Sequence, residues 1–317
     1  MKTRQLATTN LQVAPLMLGG NVFGWTIDAE TSFRILDTFV DHGFNFIDTA
    51  DVYSAWKPGN EGGGQSETIL GQWFARSGKR DKVVLATKVG MDLGNGKKGL
   101  ARQYILDAAE ASLKRLQTDH IDLYQSHLDD ESVPLEETLE AYRALIEQGK
   151  VTIIGASNYK GNRLHEAIAL AHRENLPAYQ TLQPEYNLYD RQNFEQNLQP
   201  AAKELNLGVV PYFSLASGFL TGKYKTKADS EGKNRAARVA KYFDDRGMKI
   251  LKALDQVASE TGAKQATIAL AWLLAQPTIL APIASATSVD QLEALVAAPS
   301  LDLTEAQLTT LTEASAY

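Results

Sequence analysis

Short apolar runs alternate along this chain with longer segments in which apolar residues recur three or four positions apart. The short runs have the length and β-branched content of buried strands, and the longer segments have the period of amphipathic helices. The predicted strands cover residues 16–18, 44–47, 83–86, 121–124, 153–156, 179–182, 208–212 and 279–283. The clearest helical periods cover residues 33–40, 105–116, 135–146 and 164–171, with a last helix over 304–313.

The ends of the predicted helices carry residues that typically start or stop a helix. Asp28 is a predicted N-cap, and Pro134 is placed at a first helical position. Gly43 and Gly149 stand just after a last turn. The end signals therefore agree with the periodic pattern.

Eight strand-then-helix units predict an α/β fold, a closed (β/α)8 TIM barrel, since such barrels take about 250 residues plus insertions. We expect one domain over residues 1–317, without a linker. Residues 4–7 and 11–14 predict an N-terminal β-hairpin below the barrel. The segments 56–64 and 223–233 fit neither pattern and are predicted to be long βα loops at the C-terminal face, where pocket walls are usually built.

Composition and charge limit the kinds of molecule that this protein is expected to bind. The formal net charge of −6 is spread over interspersed acidic and basic residues, so the sequence offers no footprint for nucleic acid or an anionic membrane, and a small molecule is the expected partner. The chain contains no cysteine, which excludes disulfides and thiolate chemistry. Residues 1–15 lack a signal-peptide pattern, and no apolar run is long enough to span a bilayer, so we expect a cytoplasmic protein. No heptad pattern indicates an oligomeric state.

Four polar side chains follow consecutive predicted strands. Asp48 and Tyr53 follow the second strand, Lys88 ends the third, and His127 ends the fourth. The carboxyl ends of barrel strands meet at one rim, so these side chains are expected to lie together there. Lys88 at the end of so apolar a strand requires an anion, which Asp48 supplies. The lysine charge is then expected to lower the pKa of Tyr53 and to make it a general acid.

Each of the four has a simpler interpretation when taken alone. Asp48 caps a turn, Tyr53 is a packed aromatic, His127 is a structural histidine, and Lys88 is a structural lysine. Those interpretations together require four coincidences at adjacent strand ends. The sequence therefore favours a catalytic group.

These residues and several later motifs resemble the aldo-keto reductase superfamily almost from end to end, in particular a bacterial member similar to the potassium-channel β-subunit branch. The resemblance implies an NAD(P)H-dependent oxidoreductase that reduces aldehydes or ketones to alcohols. It implies that Asp48, Tyr53, Lys88 and His127 form the catalytic tetrad, with Tyr53 as proton donor, Lys88 and Asp48 tuning it, and His127 orienting the carbonyl. No metal is expected.

The same resemblance implies a cofactor site. Ser157 and Asn158, within Gly-Ala-Ser-Asn-Tyr, and Gln183 would hold the nicotinamide carboxamide, together with Asp48 below it, and Tyr212 would stack on the ring. The pyrophosphate loop would include Ser214, Leu215, Gly218, Leu220 and Lys223. Without the resemblance, Ser157-Asn158 also fits a helix N-cap, and residues 218–222 fit an ordinary loop. No Gly-x-Gly-x-x-Gly motif supports a Rossmann route to dinucleotide binding.

The adenine end matches the superfamily only in part. Thr287, Ser288 and Gln291 match a branch that contacts the 2′-phosphate region, whereas the acidic residue and asparagine that follow there are replaced by Ala294 and Leu295. Gln291 also stands where other branches have an arginine, which would pair with a phosphate. NADPH is the expected cofactor, with NADH as the alternative. Either Arg235 or Arg238 compensates for the positive charge that Gln291 lacks, or both arginines are solvent-facing charges.

The substrate pocket is the least constrained part of the sequence. Trp25 and Trp56 are expected to line it together with Tyr53 and His127, although both tryptophans also fit ordinary packing. Aromatic walls favour hydrophobic or aromatic carbonyls.

Two other functions are compatible with the same residues. One is a cofactor-binding regulatory subunit, because the resemblance includes potassium-channel β-subunits. The other is a Schiff-base lyase in which Lys88 attacks a carbonyl. Pairing with Asp48 would keep Lys88 protonated and weaken it as a nucleophile.

Overall fold

The computed structural model describes residues 2–94, 96–232 and 235–317. Lys233, the last residue of the predicted loop 223–233, lies outside this part of the chain. The strands form a two-stranded and an eight-stranded sheet. They are β1 (Arg4–Gln5), β2 (Gln12–Val13), β3 (Met17–Gly19), β4 (Phe46–Asp48), β5 (Val84–Val89), β6 (Ile121–Ser126), β7 (Val151–Ser157), β8 (Thr181–Gln183), β9 (Gly208–Val209) and β10 (Ile283–Ala284).

Helices follow the barrel strands and cover the outside of the sheet. They are α1 (Ala29–Asp41), α2 (Gln65–Ser77), α3 (Arg102–Leu116), α4 (Leu135–Glu147), α5 (Gly161–Arg173), α6 (Gln199–Glu204), α7 (Ala236–Val239), α8 (Asp245–Thr261), α9 (Gln265–Leu274), α10 (Val289–Val296) and α11 (Glu305–Ala314). In the described residues, no helix has both the length and the apolar character needed to cross a bilayer.

The eight strands β3 to β10 are parallel, in the spatial order β10-β3-β4-β5-β6-β7-β8-β9. The remaining seam lies between β9 and the segment before β10, where the amide of Val209 donates to Thr278 (3.0 Å) and the amide of Leu280 donates to Val209 (2.7 Å). The sheet therefore curls into the predicted (β/α)8 TIM-barrel fold, with all eight predicted strands present in chain order.

The last two barrel strands are shorter than predicted. The predicted strand 208–212 is regular only over β9, and the predicted strand 279–283 is regular only at its final residue, where β10 begins. Pro211 and Pro282 lie inside these segments, and proline has no amide hydrogen to donate to a strand ladder. Isolated bridges remain at Tyr212 and Ile279, so both segments keep their place in the wall.

The N-terminal hairpin of β1 and β2 is antiparallel, as predicted. Leu6 and Val13 are fully buried and pack against apolar side chains that point into the barrel, including Phe46 and Leu123. A second and larger apolar cluster lies between the sheet and the helices. The hairpin thus covers the bottom of the barrel, while the opposite rim stays available for polar side chains.

The predicted helix ends are close to the observed ones. The side chain of Asp28 accepts a hydrogen bond from the amide of Thr31 (2.9 Å) and caps α1. Pro134 occupies the cap position just before α4 rather than its first turn. The last helix begins one residue later than predicted, because Thr304 is its N-cap.

Candidate active site

The sheet register brings the four predicted catalytic side chains to one rim. Asp48, the last residue of β4, lies opposite Ala86 of β5, so Lys88 is one pleat nearer the rim on the same face of the sheet. His127 follows β6, and its amide continues the ladder by donating to Val89 (2.8 Å). Tyr53 comes from the turn after β4. The four residues therefore lie together at one rim, as predicted.

Lys88 is at the centre of the group. Its side chain is fully buried, and its Nζ donates to Asp48 Oδ2 (2.8 Å), to the carbonyl oxygen of Thr49 (2.8 Å) and to the hydroxyl of Tyr53 (2.8 Å). The Tyr53 hydroxyl in turn donates to Asp48 Oδ2 (2.9 Å). Three acceptors around one nitrogen match the three hydrogens of an ammonium group. A phenol, an ammonium and a carboxylate therefore share one hydrogen-bonded cluster.

The expected lowering of the Tyr53 pKa is wrong for this arrangement. Burial raises the pKa of Tyr53 well above 10, and the charge of Asp48 adds to this effect. The lysine charge alone would lower the pKa of Tyr53, but the loss of water around the phenol and the carboxylate beside it outweigh that effect. Burial also lowers the pKa of Lys88, opposed by its pairing with Asp48. Tyr53 is consequently protonated at neutral pH, as a proton donor must be.

His127 lies across the rim from Tyr53, with the two ring centres 6.0 Å apart and nearly perpendicular. Burial, with a smaller contribution from Lys88, holds the pKa of His127 well below 6.5. The imidazole is therefore neutral at neutral pH, and one ring nitrogen carries a hydrogen that can be donated. Its main-chain carbonyl accepts from Asn158 Nδ2 (2.8 Å).

Three predicted carboxamide-binding residues connect directly to this group. Gln183 Nε2 donates to Asp48 Oδ1 (3.0 Å), and Ser157 Oγ donates to the carbonyl oxygen of Gln183 (2.9 Å). Asn158 Nδ2 also donates to Ser157 Oγ (3.2 Å). Helix α5 begins after Lys160, and neither Ser157 nor Asn158 caps it. The capping interpretation of this pair is therefore wrong.

Tyr212 joins the same network from the far side of the barrel, and its hydroxyl donates to Asn158 Oδ1 (2.9 Å). Asn158, Phe213, Ala216 and Ser217 all have positive φ, between 48° and 58°. Such conformations are costly for residues other than glycine and cluster at functional sites. The chain is thus held in an uncommon conformation just past the ends of β7 and β9.

The predicted pyrophosphate loop follows Tyr212. Ser214 Oγ donates to the carbonyl oxygen of Pro211 (3.0 Å), and the amide of Gly218 donates to Leu215 (2.8 Å). The side chain of Leu220 is fully buried in the core, so only its main chain remains for a ligand. A Cβ at Gly218 would be 3.1 Å from Lys223 Nζ, so the ammonium group of Lys223 lies directly on the loop.

The predicted 2′-phosphate residues surround the N-terminus of α10. Ser288 caps this helix by accepting from the amide of Gln291 (3.2 Å). Gln291 Oε1 accepts from the amide and the hydroxyl of Thr287, both at 3.0 Å, which leaves Nε2 as the donor end of the side chain. Ala294 and Leu295 are buried. The two positions at which the sequence departs from the superfamily pattern are thus core positions in this chain.

The two candidate arginines lie against aromatic rings of the rim. The guanidinium of Arg235 lies 5.5 Å from the ring centre of Trp25, and that of Arg238 lies 4.9 Å from that of Phe213. Burial lowers the pKa of Arg235, with a contribution from Arg238. Arg235 therefore packs against Trp25, which is predicted to line the substrate pocket.

Trp25 and Trp56 form a continuous aromatic surface with Tyr53. The ring centres of the two tryptophans are 5.5 Å apart, and those of Trp56 and Tyr53 are 6.0 Å apart. Trp56 is 47% exposed, which is unusual for so large an apolar side chain. Both tryptophans thus lie beside the phenol rather than in the core.

Sequence reasoning missed Gln125, a fully buried residue of β6. Its Oε1 lies 3.4 Å from Gln183 Nε2, and its own Nε2 has no hydrogen-bond partner among the described residues. The signal was available, because Leu123, Gln125 and His127 alternate along the inward face of one strand. The Nε2 group of Gln125 is therefore a hydrogen-bond donor below the rim without a partner in the described chain.

The polar groups at the rim suit a nicotinamide dinucleotide. A chain of hydrogen bonds runs from Asp48 through Gln183 and Ser157 to Asn158, and the hydroxyl of Tyr212 joins it there. Ser217 adds a buried hydroxyl without a partner in the described chain, within the loop that also carries Lys223. The N-terminus of α10 adds the positive end of a helix dipole, which favours a phosphate.

Comparison with known proteins agrees with this geometry. The sequence model of the Aldo/keto reductase family matches residues 15–316. The chain is 39% identical over 310 residues to the uncharacterized oxidoreductase YrpG of Bacillus subtilis, covering 96% of this chain and 92% of that protein. It is 35% identical over 306 residues to the aldo-keto reductase YhdN of the same organism, covering 93% and 88%.

A plant protein is also similar over most of its length. A probable voltage-gated potassium channel subunit beta of Arabidopsis thaliana is 32% identical over 301 residues, covering 92% of this chain and 89% of that protein. Taken with the barrel and the rim cluster, these similarities show that the chain belongs to the aldo/keto reductase family and is an NAD(P)H-dependent oxidoreductase.

Proposed function

We propose that this enzyme reduces aldehydes or ketones to alcohols with NADPH and that Tyr53 donates the proton. The proposal takes residues 1–317 as one domain that carries the whole site. The observation that carries it is the cluster in which the Tyr53 hydroxyl contacts both Lys88 Nζ (2.8 Å) and Asp48 Oδ2 (2.9 Å). Few structural roles require a protonated phenol at the open rim of a barrel beside a buried ammonium.

A bound reduced nicotinamide would supply the hydride for the carbonyl carbon, and the chain's own residues handle the proton. The O–H bond of Tyr53 breaks, and a new O–H bond forms on the carbonyl oxygen. The resulting tyrosinate is stabilised by the ammonium of Lys88, which Asp48 holds in place through a buried ion pair. Neutral His127 donates a hydrogen bond to the same carbonyl oxygen and orients it. Proton donor and orienting group thus act on one atom from two sides.

The cofactor residues follow from the same placement. Ser157, Asn158 and Gln183 would hold the nicotinamide carboxamide, together with Asp48, and Tyr212 would stack on the ring. The loop with Ser214, Leu215, Gly218, Leu220 and Lys223 would hold the pyrophosphate. Support comes from the network that already joins Gln183 to Asp48 and Tyr212 to Asn158.

The preference for NADPH rests on the N-terminus of α10. Thr287 and Ser288 provide hydroxyl groups there, and Gln291 presents Nε2 as a donor because its oxygen is occupied by Thr287. A 2′-phosphate at this point gains from the helix dipole and from these donors. NADH lacks that phosphate, so its binding gains nothing from this end of the site.

The aromatic surface of Trp25, Trp56 and Tyr53 supports hydrophobic or aromatic carbonyl substrates. Trp56 is exposed, and a flat apolar substrate would cover it while its carbonyl reaches Tyr53 and His127. His127 and Tyr53 therefore belong to both the catalytic group and the substrate pocket.

The first test is oxidation of NADPH and NADH, followed by absorbance, with an activated aromatic aldehyde. We expect turnover in the wild type and a loss of about 10²-fold to 10⁴-fold in Tyr53→Phe, the usual contribution of a general acid. Tyr189→Phe is the matched control, because its hydroxyl contacts Asp244 away from the tetrad. Unchanged turnover in Tyr53→Phe would contradict the mechanism.

A second candidate is a cofactor-binding regulatory subunit, favoured by the name of the Arabidopsis relative. Tight NADPH binding without turnover over a broad panel of carbonyls would support this function instead. The Schiff-base lyase is disfavoured, because all three hydrogens of the Lys88 ammonium have acceptors. Covalent trapping of a carbonyl compound on Lys88 by borohydride would reverse that judgement.

A further inference from the structure

Four side-chain oxygen atoms behind Lys88 are buried and have no hydrogen-bond partner in the described chain. They are both carboxyl oxygens of Asp51 and the hydroxyl oxygens of Tyr104 and Tyr124. Asp51 is 1% exposed and Tyr124 is fully buried. Buried polar groups in proteins are nearly always hydrogen-bonded, so an isolated carboxyl group in this position requires an explanation.

Asp51 is tied to the tetrad through the main chain. Its amide donates to the carbonyl oxygen of Lys88 (3.3 Å), and the Lys88 ammonium donates to the carbonyl oxygen of Thr49 (2.8 Å). Asp51 also lies between Asp48 and Tyr53 in sequence. A charge on its carboxyl group acts on both Lys88 and Tyr53 and raises the pKa of each.

Arg115, the cation that acts most strongly on the pKa of Asp51, is already paired with another carboxylate. Arg115 Nε donates to Glu67 Oε2 (2.7 Å), and Thr87 Oγ1 donates to Glu67 Oε1 (2.6 Å). Asp51 is therefore a second carboxyl group beside a completed ion pair. Burial, followed by the charge of Glu67, raises the pKa of Asp51 to about 8, against opposing effects of Arg115, the Val52 amide and Lys88.

The glycine-rich loop predicted over residues 56–64 closes this cluster from outside. Gly63 has a φ of +70°, and a Cβ there would be 2.3 Å from the carbonyl oxygen of Asp51. Gly64 has a φ of +84°, and a Cβ there would be 2.5 Å from Arg115 Cδ. Only residues without a side chain allow so close an approach. The loop thus packs directly on Asp51 and Arg115 and helps to keep Asp51 buried.

We propose that Asp51 is a positioning residue for the proton transfer: as a neutral acid it lets Tyr53 release its proton, and as a carboxylate it holds that proton back. The inference rests on the proposed role of Tyr53. The added negative charge makes Tyr53 a weaker acid, so carbonyl reduction slows as Asp51 loses its proton to solvent. The charged and titratable groups that face Asp51 are Glu67 on α2, Tyr104 and Arg115 on α3, Tyr142 on α4, Lys88 on β5, Tyr124 on β6, and Asp48 and Tyr53 on its own segment.

The test is the pH dependence of kcat/KM for NADPH-dependent reduction between pH 6 and 10. We expect the wild type to lose about tenfold as Asp51 ionises, since like charges several ångströms apart inside a protein interact this strongly. Asp51→Asn should lose this decline, and Asp51→Glu should keep it at a shifted pH. Asp302→Asn, at an exposed position, is the control. A decline that is the same in wild type and Asp51→Asn overturns the inference.

A second readout separates this inference from the proposed function. The infrared difference spectrum, wild type minus Asp51→Asn, should show the carbonyl stretch of a protonated carboxylic acid at neutral pH. This band should disappear as the pH is raised. Absence of that band overturns the inference even if Tyr53→Phe is inactive. Conversely, full activity of Tyr53→Phe overturns the proposed function while the Asp51 band remains. Fluorescence titration with NADPH verifies that each variant is folded.

Discussion

The substitution Asp51→Asn should stabilise the protein, and increasingly so as the pH rises. Asp51 has a pKa of about 8 in the folded chain, against the ordinary 3.8 of an aspartate in the unfolded chain. Between these values the folded chain binds one proton more than the unfolded chain, so each pH unit removes about 1.4 kcal/mol of stability. This contribution is fully present below pH 3.8 and is lost as the pH rises towards 8.

The magnitude follows from the width of that window. At pH 7, about three pH units above the unfolded pKa, ionisation of Asp51 has lowered the free energy of unfolding of the wild type by on the order of 4 kcal/mol. The asparagine variant has no such loss. At pH 5 the difference shrinks to about 1.5 kcal/mol. Asparagine is close to aspartic acid in size, so packing under the loop at Gly63 is retained.

The assay is urea unfolding of wild type, Asp51→Asn and the surface control Asp302→Asn at several pH values from 4.5 to 8. The free energy of unfolding of Asp51→Asn minus that of the wild type should grow steadily across the series. The control should track the wild type. A difference that stays constant with pH would refute the reasoning, because Asp51 would then ionise normally in the folded chain. A difference that grows as the pH falls would also refute it, because the fold would then lower the pKa of Asp51.

Three further outcomes follow from the described contacts. Lys88→Met leaves Asp48 buried without its cation and should cost about 3–5 kcal/mol in urea unfolding; adding Asp48→Asn should recover part of that loss. Gly155→Ala would bring a Cβ to 2.2 Å from Thr181 Oγ1 and should cost about 1–3 kcal/mol, which Thr181→Ala relieves. Gln291→Arg should raise the ratio of the NADH Kd to the NADPH Kd about tenfold, the value of one charge-assisted hydrogen bond. An unchanged ratio would show that the N-terminus of α10 does not bind the 2′-phosphate.

The barrel and the convergence of the rim residues were predictable from sequence because both follow from periodicity. Strand ends of a parallel barrel meet at one face, so the order of Asp48, Lys88 and His127 along the chain was enough to bring them together. Strand lengths were harder to predict, since Pro211 and Pro282 interrupt runs that remain apolar throughout.

Electrostatics could not be predicted in the same way. The pKa of Tyr53 depends first on how completely its hydroxyl is buried, and periodicity carries no information about that. Asp51 stands between Asp48 and Tyr53 in the sequence, but its lack of a partner is evident only in the structure, where Glu67 occupies Arg115. Burial is the first cause of the raised pKa in both cases, and it depends on three-dimensional neighbours rather than residue type.

The seam between β3 and β10 pairs Met17 with Ile283, one near the start of the chain and the other near its end. During synthesis on the ribosome, β3 therefore keeps an unpaired edge until β10 has been made. Unpaired strand edges are where chains associate wrongly. A nascent chain stalled in α9 has no β10 to offer, so the interval before β10 emerges is when this enzyme most needs protection from aggregation.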